Sequence, residues 1–228
     1  MASAIVTGAS RGLGLALARA LAARRRRLVI DARGEQDLET ARAELAAMTE
    51  VVALAGDVTS ESHRGALVAA AGGELDLLVN NAGGLGPSPL PRLEGYPLDR
   101  LEELYRVNTI APLRLIQLVL PVLSPRAAIL NITSDAAVEA YEGWGGYGSS
   151  KAALEQLTRV LAAEHPGLRV YSVDPGDMRT RMHQDAFPGE DISDRPPPEQ
   201  SVPGLLTLID GELPSGRYRA SELAEVPA

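Results

Sequence analysis

Residues 7–14 read TGASRGLG, and the glycines of this stretch, Gly8, Gly12 and Gly14, follow the spacing G-x-x-x-G-x-G. An apolar run precedes them and an Ala- and Leu-rich run follows, so the stretch joins a strand to a helix. Glycine lets backbone N–H groups approach a phosphate, and the amino end of the helix adds partial positive charge. The stretch predicts a nucleotide-binding turn; the alternative is a tight turn that only packs the helix closely on its strand.

Short apolar runs alternate with longer amphipathic runs along the rest of the chain. Runs rich in Val, Ile and Leu predict buried strands at 4–8, 27–31, 51–58, 75–83, 127–134 and 168–176. Helical patterns lie between them at 13–23, 36–48, 60–71, 98–123 and 148–164. This order predicts an α/β fold, a Rossmann-like doubly wound parallel β-sheet flanked by helices. A length of 228 residues favours a single domain that spans 1–228.

Charge and composition exclude several classes of partner. The chain has 22 Lys and Arg against 30 Asp and Glu, a net charge of −8, which disfavours nucleic acid and anionic membranes. It contains no cysteine, so disulfides and thiolate chemistry are excluded. His63, His165 and His183 are scattered without metal-ligand spacing, and we expect no metal site. With neither a basic leader nor a long apolar run, the sequence predicts a cytoplasmic protein without a membrane partner.

Three segments break the strand and helix pattern and are predicted to form loops around a substrate. They lie at about 85–97, 135–146 and 177–203. The first and third are rich in Pro, Gly and acidic residues, and long loops in compact α/β domains often line a functional site. Solvated connections are the alternative for both. Near the carboxyl end, a short strand is predicted at 216–220, followed by a brief acidic tail.

The glycine spacing resembles that of the short-chain dehydrogenase/reductase family, and further motifs of that family occur in order. They are GDVT with Asp57, NNAG at 80–83, VN with Asn108, Ser134 at the end of a strand, Tyr147-x-x-x-Lys151, and DPGDMRT with Pro175 and Gly176. The resemblance covers residues 3 to about 180 and fades past Gly189. It implies an NAD(P)-dependent oxidoreductase that acts on CH-OH and C=O groups.

The resemblance implies a catalytic set of Asn108, Ser134, Tyr147 and Lys151. Tyr147 would be the proton donor to the alkoxide that hydride transfer leaves, Ser134 would orient the carbonyl, and Asn108 would hold a water that connects Lys151 to solvent. A tyrosine with a pKa of about 10 needs help to exchange its proton at neutral pH, and a lysine one helical turn away favours its anion by charge. Taken singly, each residue also has a structural explanation; Tyr147 and Lys151 would then be an amphipathic pair on one helix face.

The resemblance also implies the residues that hold the cofactor. We expect Asp57 to accept a hydrogen bond from adenine and Thr180 to lie near the nicotinamide carboxamide, although Asp57 is also a candidate helix N-cap. Tyr147 and Lys151 belong to this set as well, since the lysine would bind the nicotinamide ribose. The remaining predicted cofactor residues are Gly8, Ser10, Arg11, Gly12, Leu13, Gly14, Arg33, Val58, Asn81, Ala82, Gly83, Pro175, Gly176 and Met178.

The end of the second predicted strand decides between the two nicotinamide cofactors. The family's acidic position, which holds the ribose 2′-hydroxyl of NAD, falls on Ala32, with Arg33 next and Asp31 one residue early. Adjacent strand residues point to opposite faces, so Asp31 does not substitute for an acid at 32. Arg33, with Arg11 in the glycine turn, favours NADP(H). NAD(H) is the alternative, if a bulge at the strand end turns Asp31 inward.

We therefore predict an NADP-dependent reductase of a small ketone or aldehyde substrate. The alternatives are an NAD-dependent alcohol dehydrogenase and a non-catalytic protein that senses NAD(P). Asp135, Glu139 and Glu142 make the edge of the predicted substrate site acidic, which points away from carboxylate substrates, although plain solubility also explains them. The family resemblance implies a homodimer, formed through the helix at 98–123 and the Tyr147 helix.

Overall fold

A single parallel sheet forms the centre of the computed structural model, which describes residues 2–223. Its strand order is β3-β2-β1-β4-β5-β6-β7, and every described pair of neighbours is parallel. The strands are β1 Ser3–Val6, β2 Arg27–Ala32, β3 Val51–Ala55, β4 Leu75–Asn80, β5 Leu123–Ile132, β6 Arg169–Asp174 and β7 Gly216–Arg219. The predicted Rossmann-like fold is confirmed.

Helices connect the strands and cover both faces of the sheet. They are α1 Gly12–Ala23, α2 Glu35–Ala46, α3 Glu61–Ala71, α4 Leu98–Tyr105, α5 Ala111–Val119, α6 Gly145–Glu164, α7 Arg181–Ala186, α8 Val202–Asp210 and α9 Ala220–Leu223. Residues 224–228, the end of the predicted acidic tail, lie outside the described residues, as does residue 1.

The sheet separates two hydrophobic cores because consecutive strand residues point to opposite faces. Ala4 and Val6 of β1 pack into one core with side chains of α1, α2 and α8. Ile5, between them, packs into the other core with side chains of α3, α5 and α6. Burial on both faces explains why the strands read as continuous apolar runs.

The direction in which successive strands are added to the sheet reverses at β1. The chain runs outward from β1 to β2 and β3, then returns to β4 on the other side of β1. Ligands of open α/β sheets bind at such a reversal, outside the carboxyl ends of the strands. The glycine turn after β1 and the NNAG segment after β4 both lie at this position.

Two predicted elements have different boundaries in the structure. The helix predicted at 98–123 is divided into α4 and α5 by a wider π turn at Arg106–Ile110, and it ends in a short turn at Leu120–Val122 that contains Pro121. The loop predicted at 177–203 contains α7 and ends inside α8. The side-chain oxygen of Thr180 accepts a hydrogen bond from the N–H of His183 and so caps α7, a signal that the sequence pattern did not use.

Candidate active site

The glycine turn is packed too closely for side chains at two of its glycines. A Cβ atom on Gly8, whose φ is +68°, would lie 2.9 Å from the Cα of Ala82, and one on Gly14 would lie 2.3 Å from the carbonyl oxygen of Gly8. Helix α1 begins at Gly12 inside the turn, and its N-cap residue Arg11 makes no capping hydrogen bond with its side chain. The amino end of α1 therefore offers backbone N–H groups to an anion, with room for the anion's close approach.

The NNAG segment supports this turn from the neighbouring strand. The side-chain amide of Asn81 donates to the carbonyl oxygens of Thr7 at 2.8 Å and Gly8 at 3.0 Å. The backbone N–H groups of Asn81 and Ala82 each donate to the Thr7 hydroxyl at 3.0 Å. The side chain of Asn81 is therefore engaged within the protein. Thr7, which no sequence motif singles out, holds the two segments together.

Asp31 lies beneath the glycine turn and is 1 % exposed. One carboxylate oxygen accepts the N–H of Gly8 at 2.8 Å, and the other lies 3.0 Å from Nε2 of His63. The register of β2 against β3 is continuous through Asp31, so the strand end contains no bulge there. Both carboxylate oxygens are already engaged, and Asp31 is oriented toward the turn.

Arg33 and Asp57 lie near one another after β2 and β3. Burial tends to raise the pKa of Asp57, but the N–H of Thr59, the charge of Arg33 and the charge of His63 lower that pKa below its usual range. Asp57 does not cap α3, because the N-cap is Ser60, whose oxygen accepts from the N–H of His63. The alternative role predicted for Asp57 as a helix cap is therefore wrong.

The segment after β6 lies against the glycine turn. Asp174 accepts the N–H of Gly176 at 3.0 Å, and Gly176 has a φ of +77°. A Cβ on Gly12 would lie 3.6 Å from a methyl carbon of Thr180, so the two predicted cofactor segments are in contact range. The family resemblance implies the nicotinamide end of the cofactor at this contact.

Five other predicted cofactor residues lie along the same carboxyl edge of the sheet: Ser10, Leu13, Val58, Pro175 and Met178. Leu13 is 6 % exposed and belongs to the core beneath α1, where Met178 also packs. The carbonyl oxygen of Pro175 accepts the hydroxyl of Ser201 at 2.7 Å. Leu13 and Met178 therefore shape the floor of the site by packing.

Asn108 lies in the π turn between α4 and α5 and is fully buried. Its side-chain oxygen accepts the N–H of Gly84 at 2.8 Å, and its side-chain nitrogen donates to the carbonyl of Gly84 at 2.9 Å and to the hydroxyl of Ser150 at 3.0 Å. A Cβ on Gly83 would lie 3.3 Å from the oxygen of Asn108 and 3.6 Å from the ammonium of Lys151. Asn108 and Lys151 thus flank Gly83 from two helices.

Lys151 lies on the second turn of α6, and its ammonium donates to the carbonyl oxygen of Ile132 at 2.8 Å. Burial lowers the pKa of this side chain to about 8. Lys151 is also the only lysine in the sequence, since the other 21 of its 22 basic residues are arginines. A compact ammonium with a shifted pKa is the property that arginine does not supply.

Tyr147 lies one turn before Lys151, because α6 begins at Gly145, three residues earlier than predicted. The ammonium of Lys151 lies 5.7 Å from the centre of the tyrosine ring. Burial raises the pKa of Tyr147, the charges of Asp174 and Asp135 raise it further, and hydrogen bonding with Ser134 lowers it. The expectation that Lys151 depresses the pKa of Tyr147 is wrong for this structure, because burial dominates.

Ser134 follows β5 and lies opposite Tyr147. Its hydroxyl donates to Asp135 at 2.8 Å and accepts the N–H of Ala136 at 3.2 Å. Asp135 also accepts the hydroxyl of Tyr141 at 3.0 Å. Asp135 thus fixes the serine hydroxyl from the side of the predicted substrate loop.

The three predicted substrate loops meet over Tyr147. Leu85 of the first loop and Ala186 of the third belong to the small hydrophobic cluster that contains the tyrosine. Trp144 of the second loop lies edge-on to Tyr147, with ring centres 5.7 Å apart, and 6.0 Å from the ring of Phe187. Aromatic side chains therefore cover the candidate catalytic residues and limit the access of water to the site.

Three charged residues near this site had no role in the sequence predictions. Glu155 and Asp174 are buried, and Arg217 of β7 contacts both of them. A Glu one turn after Lys151 on the same helix face was readable from spacing. Arg217 gave no signal, because it lies in the segment where the motifs have already faded.

Comparison with known proteins agrees with this fold. Residues 2–191 match the family model described as short chain dehydrogenase. The chain belongs to this family. It is an oxidoreductase that acts on carbonyl and alcohol groups. Over 191 residues it is 36 % identical to the rhamnolipids biosynthesis 3-oxoacyl-[acyl-carrier-protein] reductase of Pseudomonas aeruginosa, which covers 78 % of this chain and 73 % of that protein.

Two solved structures are similar to this chain over almost its whole length. A short chain dehydrogenase from Pseudomonas syringae has a TM-score of 0.90 and 31 % identity, covering 96 % of this chain and 94 % of that one. An alcohol dehydrogenase from the archaeon Thermococcus sibiricus, solved in complex with 5-hydroxy-NADP, has a TM-score of 0.86 and 27 % identity, covering 100 % and 99 %.

Two kinds of feature are absent from the described part of the chain. None of the helices within residues 2–223 has the length and apolar character needed to cross a membrane. In the same residues, no group of three or more His, Asp or Glu side chains is arranged to hold a metal ion.

Proposed function

We propose that the protein is an NADPH-dependent reductase of small uncharged ketones or aldehydes, with Asn108, Ser134, Tyr147 and Lys151 as its catalytic set. The observation that carries this proposal is the convergence of Tyr147, Lys151 and Ser134 under the three loops, beside the glycine turn. When bound, the nicotinamide supplies the hydride that reduces the carbonyl carbon. The close glycine packing and the amino end of α1, which no side chain caps, fit the pyrophosphate of the cofactor.

The protein's own side chains manage the proton in this proposal. When the substrate binds, the Ser134 hydroxyl turns from Asp135, with which it forms a 2.8 Å hydrogen bond, and donates instead to the carbonyl oxygen. The Tyr147 hydroxyl gives its proton to the alkoxide as the C–H bond forms. The raised pKa of Tyr147 keeps the hydroxyl protonated at neutral pH, as reduction requires. Lys151, held by the carbonyl of Ile132, supplies positive charge one helical turn from the tyrosinate that remains. Asn108 completes the set by fixing the backbone of Gly84 next to that ammonium.

The preference for NADPH rests on the end of β2. In another strand register Asp31 would hold a ribose hydroxyl. Here one of its carboxylate oxygens accepts the N–H of Gly8, and the other contacts Nε2 of His63. Arg33 is exposed at the same edge, and the exposed side chain of Arg11 lies across the turn, 3.8 Å from Asp37. Two arginines beside a strand end whose own carboxylate, that of Asp31, is already engaged suit a 2′-phosphate. The Thermococcus sibiricus relative, solved with an NADP derivative, supports the same preference.

Arg33→Ala should weaken NADPH binding about 10- to 100-fold, the worth of one charge-assisted contact to phosphate, and change NADH binding less than about 3-fold. Dissociation constants from quenching of Trp144 fluorescence measure both effects. Arg24→Ala is the matched control, because that arginine is exposed at the opposite end of α1. Equal weakening of NADPH and NADH, or of neither, would refute the assignment of the 2′-phosphate to Arg33.

The acidic edge of the substrate loops supports the choice of an uncharged substrate. Asp135 lies next to Ser134, and its charge reaches Tyr147 strongly enough to raise the tyrosine pKa. Glu139 is exposed on the same segment, and Glu142 pairs with Arg92 across the loops. A carboxylate or phosphate next to the reacting carbonyl is repelled by Asp135.

A panel of substrates tests the proposed reaction directly. NADPH oxidation should be seen with aromatic aldehydes and diketones, and kcat/KM for a matched keto acid should be at least about 10-fold lower, the cost of one like-charge contact. Asp135→Asn should reduce this difference in kcat/KM between the aldehyde and the keto acid. It should change kcat/KM for neutral aldehydes by a smaller factor. Cofactor binding with no turnover of any carbonyl would contradict the proposed function.

We also propose a homodimer that forms through α4, α5 and α6. Exposed apolar side chains lie on this side of the molecule, with Ile110 54 % and Val160 41 % exposed. A surface cavity of about 440 Å³ beside Ile110 is lined by Leu101 and Tyr105 as well. For localisation, the sequence-based prediction of a cytoplasmic protein stays a prediction.

Ile110→Glu should convert the dimer to a monomer, because a carboxylate buried in an apolar contact is strongly unfavourable. Light scattering coupled to size-exclusion chromatography reads the mass directly, for which one chain is 24.1 kDa. Met182→Glu, on the exposed surface of α7, is the control and should leave the mass unchanged. A wild-type chain that elutes as a monomer would refute the dimer.

A further inference from the structure

An ion network lies directly behind Ser134 and is centred on Arg217 of β7, which is partly buried. Its Nε donates to a carboxylate oxygen of Glu155 at 2.9 Å. One terminal nitrogen of the guanidinium donates to Asp174 at 3.2 Å and to the backbone carbonyl of Ser134 at 3.3 Å. Glu155 is only 2 % exposed and Asp174 only 4 % exposed, so this guanidinium provides the cation that two buried carboxylates need.

The three partners of Arg217 belong to three different segments of the proposed site. Glu155 lies on α6, one turn after Lys151 and two turns after Tyr147. Asp174 ends β6 and accepts the N–H of Gly176, where the proposed nicotinamide segment begins. Ser134 follows β5. One side chain therefore fixes the tyrosine helix, the serine and the cofactor segment relative to each other.

The contact to Glu155 is reinforced from β5. The hydroxyl of Thr133, next to Ser134, donates at 2.8 Å to the same carboxylate oxygen that accepts from Arg217. This oxygen therefore joins β5, α6 and β7. A rotation of α6 about its axis, which would move Tyr147 away from Ser134, breaks both hydrogen bonds.

The network also sets the charge behind Tyr147. The titratable and charged groups that face this tyrosine from the surrounding elements are Lys151 on its own helix, Asp135 after β5, Asp174 at the end of β6, and Arg217 behind Asp174. Asp174 is one of the charges that raise the pKa of Tyr147. Burial raises the pKa of Asp174 itself, and the guanidinium of Arg217, which pairs with this carboxylate, opposes that rise. Removal of Arg217 leaves the negative charge of Asp174 less compensated next to the proton donor.

We propose that Arg217 is a positioning residue for proton transfer: it aligns Ser134 with Tyr147 and neutralises the carboxylate behind the tyrosine. The inference rests on the proposed reductase function, since it assigns a role within the same site. It concerns this chain's own carboxyl segment, because Arg217 lies beyond the residues 2–191 that match the family model.

Arg217→Met should lower kcat about 10- to 100-fold with the KM for NADPH changed less than about 3-fold, which is the loss expected from misplacement of a proton donor. In the direction of alcohol oxidation, kcat/KM should still rise with pH below the pKa of the tyrosine but lie about 3- to 10-fold lower at each pH, because the tyrosine holds its proton more tightly. Arg217→Lys should restore the pH profile in part, because it returns the charge but not all the contacts.

Arg219→Met is the matched control. Arg219 lies on the same strand and the same face, 3.8 Å from Asp174, and makes no hydrogen bond or ion pair with Glu155 or Ser134. We expect its kcat, and its kcat/KM at each pH, to stay within about 2-fold of the wild type, as for an exposed ion pair. If Arg217→Met does not fold, the double variant Arg217→Met, Glu155→Gln takes its place in the test. Glu155→Gln removes the buried carboxylate charge that the loss of Arg217 leaves uncompensated.

Crystal structures of the Arg217 and Arg219 variants separate this inference from the proposed function. We expect the backbone of Ser134 and the side chain of Glu155 to shift only in the Arg217 variant, a result that is readable even if wild-type protein reduces no carbonyl. The inference is overturned if folded Arg217→Met keeps these positions, or keeps the wild-type kcat and pH profile in an active enzyme. It is also overturned if Arg219→Met reproduces its effects.

Discussion

Tyr147→Phe should lower kcat for carbonyl reduction about 1000-fold, within the range that a positioned general acid contributes. The variant keeps the ring that packs against Trp144 and loses only the hydroxyl that faces Ser134. Because the fold and the glycine turn do not depend on this hydroxyl, the dissociation constant of NADPH should stay within about 3-fold of wild type. Single-turnover NADPH oxidation and fluorescence titration measure the two quantities separately.

Tyr141→Phe is the control for this prediction. Its hydroxyl also contacts the site, through a 3.0 Å hydrogen bond to Asp135, but the side chain is 47 % exposed and lies on the solvent side of that carboxylate. We expect a change in kcat of less than about 5-fold, the worth of one exposed hydrogen bond. Retention of activity by the Tyr147 variant, or an equal loss in the Tyr141 variant, would remove Tyr147 from the role of proton donor.

The fold was predictable because its main signals are local. Buried parallel strands leave continuous apolar runs, and the glycine turn has glycine where an added Cβ would lie as close as 2.3 Å to the backbone. Short motifs identify the candidate catalytic residues. Ser134 follows a strand and Tyr147 and Lys151 lie on the first turns of α6, whereas Asn108 lies in a π turn between two helices. Within each motif, the spacing of a few neighbouring residues determines where the functional side chain lies.

The electrostatics of the site were less predictable, because they depend on burial. Spacing placed Lys151 one turn from Tyr147 and suggested that the ammonium lowers the pKa of the tyrosine, whereas burial raises it. Asp31 was recognised as facing away from the position of an NAD-binding acid, but its hydrogen bond to Gly8 and its contact with His63 needed the structure. The role of Arg217 needed the structure as well, because its position depends on the pairing of β7 with β6, two strands that are distant in sequence.

Lys151 should titrate at about pH 8 in the folded protein. As the only lysine in the sequence, it gives a single signal when lysine labelled with 13C at Cε is incorporated, so an NMR titration needs no assignment. The reason for the low value is burial, since a charged ammonium loses hydration that one carbonyl hydrogen bond does not replace. In urea the same signal should titrate near 10.4, the value of an exposed lysine.

This difference has a definite sign for stability. Between about pH 8 and 10.5 the unfolded chain binds a proton that folded Lys151 has lost, so the free energy of unfolding rises with pH across this window. From pH 7 to 9.5 the gain is about 2 kcal/mol. The effect is lost as pH falls through 8, where the buried ammonium is charged, and Tyr147, with its raised pKa, does not titrate in this range.

Lys151→Met provides the comparison, because methionine fills a similar volume without a charge. The variant should be more stable than wild type at pH 7, with an advantage that shrinks by about 2 kcal/mol by pH 9.5, while its kcat falls about 100-fold or more for want of the ammonium. Urea denaturation at the two pH values gives the difference, and groups shared by both proteins cancel. A lysine signal that titrates near 10.4 in the folded protein, or an advantage independent of pH, would mean that Lys151 is hydrated and that the site is open to water.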